Sequence, residues 1–150
     1  MIKKLKFSEQ TKFSRTSGEL LADAVEQIEG SELPDTILPV PVHRQRLEQR
    51  GYNQAEMIAQ TIARRLSIPL VNDLLQRSVQ KLPQSKLSAR ERESNIKRAF
   101  TVADKDKIQG LKVAIVDDVY TTGATARAIA THLKRAGAIR VYLWAVARTP

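Results

Sequence analysis

The most informative segment of this chain is VAIVDDVYTTGATARAIA, residues 113–130. An apolar run leads into two adjacent aspartates, Asp117 and Asp118, and a turn rich in threonine and glycine follows. An almost continuous apolar run is typical of a strand that is covered on both faces, and the residues after the turn have helical spacing. The stretch therefore predicts a buried strand that passes into a helix through a polar turn.

The rest of the chain alternates between helical and extended patterns. Helices are predicted at residues 18–28, 53–66 (with an Asn53–Glu56 capping box) and 125–136. Strands are predicted at residues 36–42, 69–75, 99–102, 111–116 and, well buried, 140–147. A basic loop at 43–52 and a flexible polar loop at 78–97, with a short helix near 88–95, connect them. This order predicts one α/β domain over residues 1–150, a mainly parallel open sheet flanked by helices. An N-terminal helical segment at 1–35 would precede a core at 36–150.

The charge of the chain points to an anionic partner. There are 25 lysines and arginines against 16 aspartates and glutamates, a formal net charge of +9. Such a surplus favours nucleic acid, phosphorylated small molecules or acidic lipid, and charge alone does not choose among them. The absence of cysteine excludes disulfides and cysteine-based zinc sites. The sequence has neither a membrane-length apolar run nor a signal-peptide core, so a cytoplasmic protein without membrane insertion is expected.

The two aspartates are expected just past the C-terminal end of their strand, where ligands bind in open α/β sheets. The following turn ends at a helix N-terminus, whose free backbone N–H groups and dipole favour an anion. Gly123 lets the backbone approach that anion, and the threonines of the turn add hydroxyl donors. The carboxylates suit a diol or a hydrated divalent cation. A sugar phosphate with free hydroxyl groups satisfies both halves of such a site.

Three other interpretations of the stretch compete with a sugar-phosphate site. A P-loop nucleotidase requires a Gly-Lys pair, and the chain has none. A phosphate-receiver domain carries its Asp-Asp pair on the first strand, whereas Asp118 stands near the end of this 150-residue chain. Threonines that merely cap a helix, beside two solvated aspartates, would leave adjacent like charges without a partner, which is unfavourable.

The segment VAIVDDVYTTGAT resembles the phosphoribosyl-pyrophosphate (PRPP) signature of the type I phosphoribosyltransferases. Other segments resemble, in order, the ComF family of competence-associated, phosphoribosyltransferase-like proteins: LKF, LPVPVHRQRLEQRGYNQAE and QRSVQKLPQSKLSARERESNIKRAF. RGYNQ and RERESNIKRAF are typical of that family, and the resemblance covers nearly the whole chain. Members usually begin with a zinc module built on paired cysteines. This chain has none, so a short variant or a truncated chain is expected.

The resemblance implies roles for specific residues. Asp117 and Asp118, the catalytic candidates, would hold the ribose 2′- and 3′-hydroxyls and orient the sugar. The 5′-phosphate would bind in the turn of Tyr120, Thr121, Thr122, Gly123, Ala124 and Thr125. The pyrophosphate loop would contain His43, Arg44, Arg46 and Arg50. A flexible loop that closes over the substrate would contribute Lys81, Lys86, Arg90 and Arg92. Guanidinium groups suit such roles because they pair bidentately with phosphate oxygens.

The resemblance also implies a function. A nucleophile would displace pyrophosphate at C1 of PRPP, in a process linked to DNA uptake or to the use of imported DNA. The expected cofactor is Mg²⁺, held through the ligand and water rather than by direct protein ligands. No segment is identified as a hood that recognises the acceptor, so two alternatives stay open. One is a non-catalytic PRPP or nucleotide sensor, and the other is a single-stranded DNA-handling protein of the competence machinery. Its partners would be PRPP, another ribose phosphate or nucleotide, single-stranded DNA or competence proteins, and an oligomer is compatible with each function.

Overall fold

The structure, a computed structural model, describes residues 2–29, 32–78 and 87–150. Its helices are α1 (Ile2–Glu29), α2 (Arg44–Arg50), α3 (Gln54–Leu66), α4 (Ala89–Arg98) and α5 (Ala124–Arg135). Its strands are β1 (Thr36–Pro39), β2 (Leu75–Arg77), β3 (Phe100–Val102), β4 (Lys112–Tyr120) and β5 (Arg140–Arg148). A short 3₁₀ helix, Lys105–Lys107, precedes β4.

The central sheet contains three parallel strands in the order β1-β4-β5. β1 pairs with β4 from Thr36 opposite Val113 to Pro39 opposite Val116. β4 stays paired with β5 as far as Tyr120 opposite Arg148, so its last residues extend beyond the end of β1. β2 and β3 form a separate antiparallel pair. The predicted α/β fold, with a mainly parallel sheet flanked by helices, is confirmed.

Helices cover both faces of β4, which explains its continuous apolar run. Ala114 and Val116 pack in one core with α3 and the C-terminal half of α1. Val113 and Ile115 pack in the other core with α5 and with Phe100 of β3. Successive residues of a pleated strand point to opposite faces, so a strand between two cores needs apolar residues at every position.

Helix α1 is much longer than the helix predicted at 18–28. Its first half lies in the N-terminal helical segment expected at 1–35, but no apolar period marks it, because apolar residues there, including Ile2, Leu5 and Phe13, are exposed rather than arranged on a buried stripe. The buried side of α1 carries small residues that let it approach α3. A Cβ added to Gly18 would stand 2.6 Å from Cβ of Thr61. None of the helices within the described ranges is long and apolar enough to cross a membrane.

Several local predictions are wrong. Residues 43–52 are not a loop: α2 begins after His43 and ends at Gly51, whose φ of 79° is left-handed. The segment predicted as a strand at 69–75 is a strand only at Leu75, where β2 begins, and Leu70 makes an isolated bridge to Ile37 instead. β5 is not well buried, because it lies at the sheet edge beside one neighbouring strand.

The caps of α3 and α4 differ from prediction in opposite ways. Asn53 caps α3 by accepting a hydrogen bond from the Ala55 N–H (3.1 Å), but Glu56 accepts from Gln60 and completes no capping box. The short helix expected near 88–95 is present and reaches Arg98, and Ser88 and Glu91 form a full capping box at its start. The first part of the predicted flexible loop, residues 79–86, lies outside the described residues.

Candidate functional site

The prediction that Asp117 and Asp118 lie just past the end of their strand is wrong, because both lie inside β4. They follow Val116, the last residue of β4 that pairs with β1, so the strand is open to ligand on that side. β1 ends here because Val40 turns away after its N–H donates to the Val116 carbonyl (2.8 Å). The aspartates therefore stand at the carboxyl edge of the sheet, where open α/β folds bind ligands.

The two carboxylates are held against the backbone and against each other. Oδ1 of Asp117 accepts from the Asp118 N–H (2.8 Å), and Oδ1 of Asp118 accepts from the Val119 N–H (2.9 Å). Burial, with the neighbouring Asp118 carboxyl, raises the pKa of Asp117 from its ordinary 3.8 to about 7. Asp117 therefore holds or releases a proton near neutral pH.

The turn after β4 presents unpaired backbone N–H donors at the same edge of the sheet as the two aspartates. Thr122 Oγ1 accepts from the Ala124 N–H (3.3 Å) and thereby fixes the start of α5. The N–H groups of Thr125 and Ala126 have no acceptor in the part of the chain that the structure describes. Free N–H groups at a helix N-terminus attract anions, so the turn has the properties of a phosphate cradle.

Both the backbone conformation and the close packing of this turn require a glycine at Gly123. Its φ is 79°, a left-handed conformation that side chains disfavour. A Cβ added there would lie 2.5 Å from the Tyr120 hydroxyl and 3.0 Å from Nη1 of Arg127. That Nη1 donates to the Thr122 carbonyl (3.0 Å), which closes the turn from the far side.

The residues predicted to bind pyrophosphate lie on α2. Arg44, Arg46 and Arg50 are exposed on this helix, directly after the chain leaves β1. His43 is the N-cap: its Nδ1 accepts from the Gln45 N–H (3.3 Å). Arg44 is engaged by Glu48 at 3.2 Å. Arg46 is close enough to Arg77 of β2 for its charge to lower the pKa of that side chain.

Arg77 is a site residue that sequence reasoning missed. It is half-buried, its guanidinium carbon lies 5.3 Å from the centre of the Phe100 ring, and its Nε is buried without a hydrogen-bond partner among the described residues. Burial lowers its pKa, Arg46 lowers it further, and Asp117 partly offsets both. The alternation of side chains along the strand could have indicated it. Arg77 lies on the same strand face as the buried Leu75, which is an unusual place for an arginine.

The flexible-loop residues are placed only in part. Arg90 and Arg92 lie on the exposed surface of α4, and no described contact joins them to Asp117. Lys81 and Lys86 lie outside the described residues. The structure thus brings Asp117, Asp118, residues 121–125, Arg46 and Arg77 to one edge of the sheet.

The described side chains do not form a metal centre by themselves. Within residues 2–29, 32–78 and 87–150, no group of three or more His, Cys, Asp or Glu side chains could hold a metal ion. Two adjacent carboxylates still offer the oxygen donors that Mg²⁺ prefers, with the remaining positions left to water or ligand oxygens.

Comparison with known sequences finds relatives over nearly the whole chain. Competence protein F of Haemophilus influenzae is 38% identical over 152 residues, covering 99% of this chain and 66% of that protein. DNA utilization protein YhgH of Escherichia coli K12 is 36% identical with the same coverage. Competence protein ComFC of Bacillus subtilis is 30% identical over 89 residues. The chain thus spans 66% of the length of the first two relatives.

Solved structures show the same fold at low sequence identity. Glutamine PRPP amidotransferase from B. subtilis, solved with ADP and GMP, aligns with a TM-score of 0.59 and 22% identity. That alignment covers 89% of this chain and 26% of the amidotransferase. Purine phosphoribosyltransferase from Pyrococcus horikoshii gives a TM-score of 0.53 and 17% identity, with 90% and 81% covered.

The family described as "Phosphoribosyl transferase domain" matches residues 52–150, which include β4, its two aspartates and the turn before α5. The relatives that match almost the whole chain are competence and DNA utilization proteins. Together with the geometry of the β4–α5 edge, these matches show that the chain belongs to the phosphoribosyl transferase domain family and, within it, to the ComF family.

Proposed function

We propose that the protein binds PRPP at the carboxyl edge of β4 and transfers its ribosyl group to an acceptor, releasing pyrophosphate. The observation that carries this proposal is that Arg77 lies within electrostatic reach of both Arg46 and Asp117. Two arginines lie within electrostatic reach of each other, and the buried Nε of Arg77 has no hydrogen-bond partner in the part of the chain that the structure describes, so this place favours an anion. Pyrophosphate, next to a carboxylate that holds the ribose, supplies that anion.

The other half of PRPP matches the turn before α5. The 5′-phosphate would accept from the free N–H groups of Thr125 and Ala126 and from the hydroxyls of Thr121 and Thr122. The ribose hydroxyls would donate to the carboxylates of Asp117 and Asp118. In this arrangement the 5′-phosphate lies at the turn before α5 and the ribose at Asp117 and Asp118. The pyrophosphate lies beyond them, at Arg46 and Arg77.

The chemical step follows from this orientation. The acceptor's lone pair forms a bond to C1 of the ribose, while the bond from C1 to the pyrophosphate oxygen breaks and its electron pair leaves with pyrophosphate. Arg46 and Arg77 stabilise the charge that gathers on the leaving group. Asp118 positions the ribose, and Asp117, whose pKa is about 7, accepts the proton that the acceptor loses. Mg²⁺, when bound through ligand oxygens and water near the two carboxylates, supplies further neutralisation of the pyrophosphate.

Calorimetry with PRPP and Mg²⁺ tests the site. Wild type is expected to bind saturably, and Asp117→Asn/Asp118→Asn to lose at least tenfold in affinity. The matched control, Asp73→Asn/Asp106→Asn, removes two exposed carboxylates elsewhere and should bind like wild type. Equal binding by all three proteins would overturn the proposed site.

Pyrophosphate release separates an enzyme from a sensor. Wild type is incubated with PRPP and a panel of nucleobases, and pyrophosphate is measured by a coupled assay. Release that requires both the base and Asp117 supports ribosyl transfer. Saturable PRPP binding without release from any base would instead assign the protein to the non-catalytic sensing class.

A second candidate function, single-stranded DNA handling, is favoured by the first half of α1. Phe7 and Phe13 are 50% and 53% exposed there. Around them lie four exposed lysines, Lys3, Lys4, Lys6 and Lys12. Exposed aromatic rings among basic side chains are the usual surface for stacking unpaired bases beside a phosphate backbone. The relatives named competence and DNA utilization proteins agree with this candidate.

Fluorescence anisotropy with an oligothymidylate tests the second candidate. Phe7→Ala/Phe13→Ala is expected to weaken binding at least tenfold at constant salt, because stacking is worth about 1–3 kcal/mol per base. Loss of binding in a lysine-to-glutamine variant alone, with the phenylalanine variant unchanged, would show general attraction to polyanions and remove this candidate.

A further inference from the structure

We propose that a groove between α1 and α3 binds a small phosphate-bearing anion, of the size of a nucleoside monophosphate, at a site separate from the one around Asp117. The groove has a volume of about 500 Å³. Thr11, Ser14 and Arg15 of α1 line one wall, and Gln60 and Arg64 of α3 line the other. Sites for small molecules commonly have volumes of roughly 300–1,000 Å³. This inference goes beyond the proposed transferase function and does not depend on it.

Two arginines in the groove lack a partner of their own. Arg15 and Arg64 are exposed, and neither has an ion pair or a hydrogen bond to its side chain within the described residues. They come from opposite walls, so an anion in the groove could meet both. A guanidinium group pairs with two phosphate oxygens at once, which makes a phosphate the favoured anion.

Ser14 is the observation that points most directly to a ligand. Its side chain is 1% exposed, and its Oγ has no hydrogen-bond partner among the described residues. Two hydroxyls on these helices donate to the carbonyl four residues earlier. Thr11 donates to the Phe7 carbonyl (2.8 Å) and Thr61 to the Met57 carbonyl (3.4 Å). Ser14 makes no such bond. A buried hydroxyl without a partner costs about 1–3 kcal/mol. A ligand oxygen in the groove would satisfy it.

The charge at the end of the groove favours a small anion over a polymer. Arg65 closes this end and pairs with Glu19 (2.6 Å), Asp23 and Glu26 (3.5 Å). The positive charge of Arg65 is therefore neutralised, and the acidic cluster repels any polyanion that continues past it. Of these carboxylates, only Glu19 also lines the groove, where it is paired with Arg65, so a single phosphate group between Arg15 and Arg64 meets fewer carboxylates than a DNA strand that continues past Arg65.

The groove lies away from the site around Asp117. Ile58 and Ile62 of α3 pack toward the sheet, in the core that also contains Ala114 and Val116 of β4. Gln60 and Arg64 are on the exposed side of the same helix. Asp117 continues the opposite face of β4, in line with Val113 and Ile115. One helix and the sheet thus separate the two sites, so their ligands can be followed independently.

The test is an amide NMR titration of the whole chain with AMP and, separately, with inorganic phosphate. Saturable shifts are expected at residues 11–15 and 60–64 in wild type. Arg15→Gln/Arg64→Gln should lose these shifts and bind at least tenfold more weakly there, while any shifts at residues 121–125 persist. Ser14→Ala should weaken binding severalfold without lowering Tm, because the buried hydroxyl has no partner among the described residues of the free protein. Lys105→Gln/Lys107→Gln removes the same charge from the exposed 3₁₀ helix and should bind like wild type.

Three results would overturn the proposal. One is the absence of saturable shifts in the groove of wild type at millimolar AMP and phosphate. Another is equal groove binding by Arg15→Gln/Arg64→Gln and wild type. The third is an oligothymidylate that displaces AMP from the groove at lower nucleotide concentration, which would assign the two arginines to a DNA backbone.

Discussion

Arg77 and Asp117 hold opposite charges at the carboxyl edge of the sheet, and each shifts the ionisation of the other. The Arg77 charge works against the burial that raises the pKa of Asp117 to about 7. Asp117 in turn works against the burial and the Arg46 charge that lower the pKa of Arg77. The pair comes from different sheets, since Arg77 ends β2 and Asp117 lies in β4. This relationship links the carboxylates proposed to bind ribose to the arginines proposed to bind pyrophosphate.

Arg77→Gln is expected to weaken PRPP binding at least tenfold and to leave ribose 5-phosphate binding within twofold, because only PRPP carries the pyrophosphate. Calorimetry with both ligands measures the difference. Arg98→Gln, which removes an exposed arginine on α4, serves as the control for net charge. Equal weakening of both ligands would show that Arg77 supports the fold of the site rather than the pyrophosphate.

Gly123→Ala is expected to weaken the binding of both PRPP and ribose 5-phosphate at least tenfold. The new Cβ would displace the Tyr120 hydroxyl or the Arg127 guanidinium from the turn between β4 and α5. The left-handed φ of 79° adds a loss of roughly 1 kcal/mol in the free energy of unfolding. Gly110→Ala is a matched control, since Gly110 has a φ of 77° and its Cβ would meet no atom within 4 Å. Gly110→Ala should lose similar stability and keep full affinity, and a loss of affinity in both variants would contradict the local explanation.

The contribution of Asp117 to the stability of the free protein is expected to fall as pH rises from about 4 to about 7. Asp117 has its ordinary pKa of 3.8 when unfolded and about 7 when folded, so the native state binds the extra proton in this window. Because the folded state holds more protons there, the free energy of unfolding decreases with pH. Asp117→Asn removes this dependence. It should be more stable than wild type by about 1–2 kcal/mol at pH 8, after allowance for partial exposure of the carboxyl.

Urea unfolding at pH 5 and pH 8 measures the effect of Asp117→Asn. The difference between variant and wild type should be small at pH 5 and large at pH 8. Asp106→Asn, at an exposed position, should follow wild type at both pH values. A constant difference across this range would show that Asp117 is not protonated in the native state.

Asn53→Ala is expected to cost about 2 kcal/mol in the free energy of unfolding, because one buried side chain makes two bonds. Its Oδ1 accepts from the Ala55 N–H, and its Nδ2 donates to the Val40 carbonyl (3.1 Å), which ties α3 to the end of β1. Ser88→Ala removes an exposed cap of α4 and should cost about half as much. Thermal or urea unfolding gives both values, and equal costs would mean that the bond to Val40 contributes nothing.

The residues in the β4–α5 part of the candidate site could be placed from the sequence because their arrangement is local. An apolar strand, two aspartates and a glycine before a helix fix their own geometry within one short stretch, whatever surrounds them. The error there was small: β4 extends through Asp117 and Asp118 because β5 continues to pair with it after β1 has ended.

The arginines around the site could not be placed in the same way. α2 has no buried residue, so it lacks the apolar period that marks a helix, although every residue in RQRLEQR favours one. Arg77 required knowledge of the β2–β3 pair, which forms between segments that are distant in the chain. Its proximity to Arg46 and Asp117 has no local signal.

Hydrophobic period and turn chemistry act over neighbouring residues, so the parallel α/β framework, the helix after Gly123 and the carboxylate pair were predictable without the structure. The three-dimensional structure was needed to place Arg77 near both Arg46 and Asp117, to put β5 at an edge, and to bury Ser14 in a groove beside Arg15 and Arg64. Those features depend on which elements pack together. Packing is set by the summed burial of side chains from separate segments, and no single segment encodes it.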